Sequence, residues 1–390
     1  MRWDAQALAP ALGDGEKEGP STGPAPDVLL PLAGLVRSVT TPDFAGITFH
    51  EVAAKSVLNK VPAGSRMPFE WTINPYRGCS HACVYCFARK SHTYLDFDAG
   101  LDFDSQVVVK INAAEVLRRE LAKPSWGHHQ VALGTNTDPY QRAEGRYQLM
   151  PGIIGALADS GTPLSILTKG TLLARDIPLL KHAAAQVPVG IGISLAMTDE
   201  KLSEAIEPGT PGPRARLKLV TRLREAGLPC GVMAMPILPW LSDSDEALDH
   251  LFSSLAQAGA TGVTAGALYL KPGTREWFMQ WIAAHHPELA GRYRRLYASG
   301  SYASKEYRTW LAGRVKYFKT LHGFSDASGF SHRDLEAATT QTTDARSRET
   351  LDARDEEAQY PAGSIPAPGV KVAGRGAVGS GQAPPQAMLF

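Results

Sequence analysis

Between Trp71 and Leu270 short apolar runs alternate with stretches in which apolar residues recur every three or four positions. That alternation is the pattern of β-α units built around a parallel sheet. The runs predict six strands, at Trp71–Asn74, Gln130–Leu133, Leu164–Thr168, Val187–Leu195, Gly231–Ile237 and Val263–Leu270. The clearest helix is predicted from Asp245 to Ala258, with Leu248, Leu251, Phe252 and Leu255 on one face. Asp243 and Glu246 have capping-box spacing before it, and Gly259 supplies the stop. Two further helices follow the same rules: Asn112 caps Ala113–Leu121, and Arg214–Ala226 ends at Gly227. Six units predict an α/β fold with an open, partial barrel rather than a closed eight-stranded one. Its chemistry belongs at the carboxyl ends of the strands.

The two ends of the chain lack this periodicity. Residues 1–26 are rich in Ala, Gly, Pro and Glu and predict a disordered arm, and residues 27–65 form a lead-in with scattered apolar groups. The core domain is expected over residues 66–325, followed by a disordered tail over 326–390. A formal net charge of +1 in 390 residues gives no global field toward nucleic acid, membrane or acidic substrate, so any basic surface must be local. No stretch approaches the ~18 apolar residues that a membrane span needs, and the N-terminus lacks the order of a signal peptide. A cytoplasmic protein with no membrane partner is the expectation.

Four cysteines are present, three of them in Cys79-Ser-His-Ala-Cys83-Val-Tyr85-Cys86, directly after the first predicted strand. Loops this short disfavour mutual disulfides, and a metal or redox centre fits better. Three thiolates can hold three irons of a cubane; with no fourth cysteine nearby, one iron stays open to an exogenous ligand. The alternative is a tetrahedral zinc site in which His81 or His92 replaces the missing thiol. The fourth cysteine, Cys230, opens the fifth predicted strand and reads as a small core residue.

The C-x3-C-x-aromatic-C loop, with Tyr85 at the aromatic position, resembles the signature of radical S-adenosylmethionine enzymes. The wider stretch NPYRGCSHACVYCFAR, with TNTDPYQ after the second strand, resembles the branch related to spore photoproduct lyase. The resemblance spans about Lys55 to Gly323. It implies a partial (β/α)6 barrel of the TIM type and a 4Fe-4S cluster on Cys79, Cys83 and Cys86. It also implies that S-adenosylmethionine chelates the open iron and is cleaved reductively to a 5'-deoxyadenosyl radical, which takes hydrogen from a substrate. A reductant such as flavodoxin or ferredoxin would be the electron donor. In that branch a lysine and a serine contact the methionyl group, and Lys169 and Ser194 stand at the matching positions. Spore photoproduct lyase itself carries a hydrogen-donating cysteine at the end of its second strand. This chain has Gly134-Thr135 there, which argues against repair of that particular thymine lesion.

Position at the strand ends suggests Thr135 or Asn136 near the cofactor, and Asp138, Tyr140, Gln141 and Glu144 facing substrate, although Asn, Asp and Pro also punctuate ordinary turns. From Arg292 to Lys319 eight basic residues interleave with aromatics, a mix that could hold phosphates and stack bases, or equally pack an amphipathic helix pair. The terminal Gln386-Ala-Met-Leu389-Phe390 resembles the peptide with which replication and repair proteins bind the sliding clamp. The leading expectation is a radical enzyme acting on a nucleic-acid component such as damaged DNA. Its rivals are radical modification of RNA, a peptide or a small metabolite; a zinc-stabilised nucleic-acid-binding protein; and a clamp-associated adaptor.

Overall fold

The computed structural model describes residues 5–6, 32–62, 67 and 69–325. Its strands, in chain order, are β1 (Ala5–Gln6), β2 (Leu35–Thr40), β3 (Thr48–Val52), β4 (Leu58–Lys60), β5 (Trp71–Ile73), β6 (Tyr76–Arg77), β7 (Gln106–Lys110), β8 (Val131–Leu133), β9 (Leu164–Thr168), β10 (Val189–Ser194), β11 (Gly231–Ile237) and β12 (Gly262–Ala267). A seven-stranded sheet runs β12-β11-β10-β9-β8-β5-β4. Its first six members pair in parallel, and β4 lies antiparallel on the margin beside β5. These six are the strands expected from the apolar runs: β9 and β11 match at both ends, and the other four differ by one to three residues at an end. Among the described residues no pairing joins β12 to β4, so the sheet is open.

Helices Ala113–Leu121, Leu149–Asp159, Ile177–Ala184, Pro213–Glu225 and Asp245–Gln257 return the chain between successive parallel strands. Strand β10 is buried along its whole length, as a central parallel strand covered on both faces must be. The main core joins Ile73, Leu133, Ile166, Ile191, Val232 and Val263 of the strands to Leu117, Leu157, Leu180, Leu223 and Leu251 of the helices. No helix among the described residues is long and apolar enough to cross a membrane.

Two caps differ from expectation. Ser244, not Asp243, caps Asp245–Gln257, accepting from Ala247 N at 3.2 Å. Asp243 instead accepts from Trp240 N and the Tyr307 hydroxyl, each at 2.8 Å. Asn112 does occupy the cap position of its helix, but its carboxamide exchanges hydrogen bonds with the backbone of Ala54.

The local pattern gave no sign of a second sheet, ordered β1-β2-β3-β7-β6, in which β3 and β7 pair in parallel across the sequence. Val39, Phe49, Tyr76, Val107 and Val109 form its own small core. Ala5–Gln6 of the expected arm joins this sheet opposite Val39 and Ser38. The remainder of that arm lies outside the described residues, as do residues 326–390 with the clamp-like Gln386, Leu389 and Phe390.

After β12 come helices Thr274–His285, Pro287–Leu296 and Lys305–Leu321. Of the aromatics in the basic stretch, Tyr293, Tyr297, Tyr307 and Phe318 are buried, and the first two send their hydroxyls to the carbonyls of Pro239 and Leu268 at 2.8 Å. Tyr302, Trp310 and Tyr317 face outward. Half of this pattern is therefore core packing.

Candidate active site

The three cysteines sit on two successive tight turns at the carboxyl end of β5. Ala82 N donates to Cys79 O at 3.1 Å, with Ala82 in the left-handed region (φ 53°), and Cys86 N donates to Cys83 O at 3.2 Å. Cys79 and Cys83 are buried, Cys86 is half-buried, and none is disulfide-bonded. Arg89, fully buried, stitches the loop to the chain that follows. Its guanidinium donates to Cys83 O at 3.0 and 3.2 Å, to Gly100 O at 2.8 Å and to Asp104 at 2.9 Å, between the rings of Phe103 and Trp277. From the other end of the domain Thr274 donates to Cys86 O at 2.8 Å.

Two more segments hold the loop from outside. Val84 N donates to Ile206 O at 3.0 Å and Gly209 N to His81 O at 3.1 Å, so residues 206–209 run alongside it. They run so close that a Cβ on Gly209 would lie 1.9 Å from Ser80 O. On the opposite side the Gln141 carboxamide accepts from Ser80 N at 2.9 Å and donates to Gly78 O at 3.0 Å.

A buried polar group adjoins the loop. Glu207 accepts from the Tyr85 hydroxyl and, at 2.5 Å, from Arg216 Nη2; Lys169 Nζ stands 4.0 Å from its Oε1 and 5.7 Å over the Tyr85 ring. Arg216 also donates to Ser194 O at 3.0 Å and to Ser203 Oγ at 3.1 Å. Burial alone would lower Lys169, but Cys83 and Glu207 outweigh it and hold the ammonium above its ordinary value. Burial likewise opposes the Glu207 charge, and Arg216 and Lys169 outweigh it, keeping the carboxylate ionised.

The structure thus brings Tyr85, Lys169 and Ser194 together beside the cysteines. Thr135 and Asn136 lie half-buried in the turn after β8, with Asn136 Nδ2 donating to Ser91 Oγ at 3.4 Å. Asp138 works inside its own turn region. It accepts from Tyr140 N at 2.9 Å, the Thr168 hydroxyl at 2.5 Å and Lys169 N at 2.7 Å, and stands 3.3 Å from His81 Nδ1. Burial would raise its carboxyl, but His81 and these donors bring it down to about 2. Tyr140, Gln141 and Glu144 are fully buried. Tyr140 donates to Asp176 at 3.0 Å, while Glu144 accepts from Tyr76 at 2.6 Å, Arg175 at 2.7 Å and the backbone of Leu149 and Met150. Their polar atoms are taken up in holding the site's framework.

The residues present fit an iron-sulfur cluster. Burial raises the Cys83 thiol well above its ordinary value and Cys86 to about 11, so thiolates at this place call for a positive partner. Of the candidate fourth ligands of a zinc site, His81 stands 3.3 Å from Asp138 through Nδ1, and His92 Nε2 lies 2.8 Å from Gln106 O while its buried Nδ1 meets no hydrogen-bond partner among the described residues. Among the described residues no three donor side chains converge on a single-ion site. A cubane makes no such demand, since each thiolate binds its own iron. Cys230 is buried in the main core, as expected.

Glu207 and Arg216 escaped the sequence reading. Arg216 was nevertheless detectable, because it shares a helix face with Leu219, Val220 and Leu223, and a cation on an apolar stripe needs a buried partner.

Comparison with known proteins agrees with this geometry. Residues 73–252 match the family model of the Radical SAM superfamily. An uncharacterized protein of Mycobacterium tuberculosis is 60% identical over 315 residues, covering 81% of this chain and 91% of that protein. An uncharacterized protein of Methanocaldococcus jannaschii is 28% identical over 199 residues, covering 50% and 70%. Among solved structures, spore photoproduct lyase complexed with dinucleoside spore photoproduct superposes with a TM-score of 0.53 at 14% identity, covering 70% of this chain and 79% of that one. The fold is shared with that enzyme, and the chain belongs to the radical SAM superfamily.

Proposed function

We propose that this protein cleaves S-adenosylmethionine reductively at a 4Fe-4S cluster carried by Cys79, Cys83 and Cys86 and removes a hydrogen atom from its substrate. The observation that carries this reading is the juxtaposition of three free cysteines with the buried Lys169–Glu207–Arg216 group at the carboxyl ends of β5, β9 and β10. When bound, the cluster and S-adenosylmethionine supply a one-electron cleavage that yields a 5'-deoxyadenosyl radical. The chain's own residues bind and orient. Lys169 offers an ammonium to the cofactor's carboxylate, and Ser194, Thr135 and Asn136 offer polar groups around its amino-acid and ribose ends. Gln141, Arg89 and the 206–209 segment hold the cysteine loop, while Tyr140 and Glu144 brace the turn after β8.

The substrate class we propose is a nucleic-acid component. The fold shared with spore photoproduct lyase supports it, as do the outward Tyr302, Trp310 and Tyr317 beside Arg308 and Arg314. Flavodoxin or ferredoxin is the proposed electron donor.

Anaerobically reconstituted protein, reduced with dithionite in the presence of S-adenosylmethionine, should release 5'-deoxyadenosine, and Cys83→Ala should release none. A wild-type protein with full iron and acid-labile sulfide that yields no 5'-deoxyadenosine would overturn the reading. Zinc in place of iron would do the same.

A further inference from the structure

We infer that Glu207 is the positioning residue that couples the amino-acid end of bound S-adenosylmethionine to the cysteine loop, aiming Lys169 and Tyr85 from a single buried carboxylate. The inference rests on the proposed function and goes beyond it, since it assigns a role to a residue outside the cysteine motif.

The geometry is that of a junction. Glu207 Oε1 takes the Tyr85 hydroxyl from within the cysteine loop and faces Lys169 Nζ at the end of β9. Oε2 takes Arg216, whose other nitrogen reaches the Ser194 carbonyl at the end of β10. One carboxylate therefore ties together three elements that must agree in position if cluster and cofactor are to meet. The backbone on either side of it is also bonded to the loop, through Ile206 O to Val84 and Gly209 N to His81 O. A shift of Glu207 is transmitted to the loop at both points.

The contacts of Glu207 are unequal. Arg216 is in close hydrogen-bonded contact, whereas Lys169 at 4.0 Å is held by charge and has no closer acceptor among the described residues. Its donors are available to a ligand while its place is fixed. Lys169 and Arg216 share the single Glu207 carboxylate, and Arg216 holds the closer contact with it. A buried cation short of a partner is costly, and a ligand carboxylate relieves that cost.

The test is a double-mutant cycle on the reconstituted holoprotein, with S-adenosylmethionine binding measured by anaerobic equilibrium dialysis. The change that the ligand causes in the electron paramagnetic resonance spectrum of the reduced cluster is followed in parallel. Lys169→Met should weaken binding about tenfold in the wild-type background but no more than about threefold in Glu207→Gln, because the ammonium there has lost its aim. The spectral change on adding ligand should be diminished in Glu207→Gln, with iron and sulfide content unchanged. Equal effects of Lys169→Met in both backgrounds, with an intact spectral response, would overturn the inference. If Glu207→Gln fails to take up iron, the cycle is run with Tyr85→Phe, which leaves every charge in place. A change in the Lys169→Met effect of less than about twofold there would likewise overturn it. Absence of ligand binding by the wild type would instead refute the proposed function on which the inference stands.

Discussion

The Gln141 side chain bonds to the backbone on both sides of Cys79 through its contact with Ser80: it accepts from Ser80 N and returns a donor to Gly78 O. A residue in the turn after β8 is thereby fastened to the cysteine loop after β5, across neighbouring parallel strands.

Removing that carboxamide should expose the dependence. Gln141→Ala leaves two buried backbone groups unpaired, at roughly 1–3 kcal/mol each. We expect a lower unfolding midpoint in urea and less iron per chain after anaerobic reconstitution. An unchanged midpoint together with full iron would show that the loop holds its shape unaided.

Gly209 offers a sharper probe, because the obstruction is backbone against backbone. In Gly209→Ala the new methyl meets Ser80 O at 1.9 Å, and the two segments must separate. Iron retention should fall severalfold. Gly155→Ala, in helix Leu149–Asp159 with nothing within 4 Å, serves as the control and should gain about 0.5–1 kcal/mol. Equal iron content in the two variants would refute the clasp.

Lys110 on β7 yields a pH prediction. Burial, with Arg77 beside it, brings its ammonium down to about 8. The unfolded chain keeps that proton to about pH 10.4, so between these values the unfolded state binds more protons and stability rises with pH. Below about pH 8 the penalty is complete. Lys110→Met should therefore stabilise the protein at pH 7 by a few kcal/mol, on the order of 1–3, and the gain should fade as pH approaches 10.5. Denaturant midpoints at the two pH values decide it; a pH-independent difference would count against a buried cation.

The six parallel strands were legible because each buries a short apolar run between turn residues, a signal contained within the run. Strand β7 was not, although its Val107, Val108 and Val109 are as apolar as any of them. What makes it a strand is parallel pairing with β3, from Thr48–Gln106 to Val52–Lys110, a partner more than fifty residues away that no local window contains. The cysteines and Lys169 were legible for the opposite reason, since their spacing and strand-end position are themselves local. Glu207 lies in a loop of Pro, Gly and Thr that looks like solvent-facing turn, and only the fold reveals that Tyr85 and Arg216 converge on it. Tyr140, Gln141 and Glu144 stood out by their place after a strand end, but their hydrogen bonds run to framework partners that composition cannot disclose.

Arg89 has a further consequence for how this part of the chain can vary. By gripping Cys83 O at one end and Asp104 at the other, its guanidinium closes the intervening excursion with its ends already fixed. Lengthening a loop so closed costs only about 0.6 kcal/mol per doubling. Insertions around the exposed Tyr94 could then extend or retract beside the cysteines while the geometry at Cys79, Cys83 and Cys86 stays as it is. The length of chain between Cys83 and Asp104 is thereby uncoupled from the turns that carry the thiols.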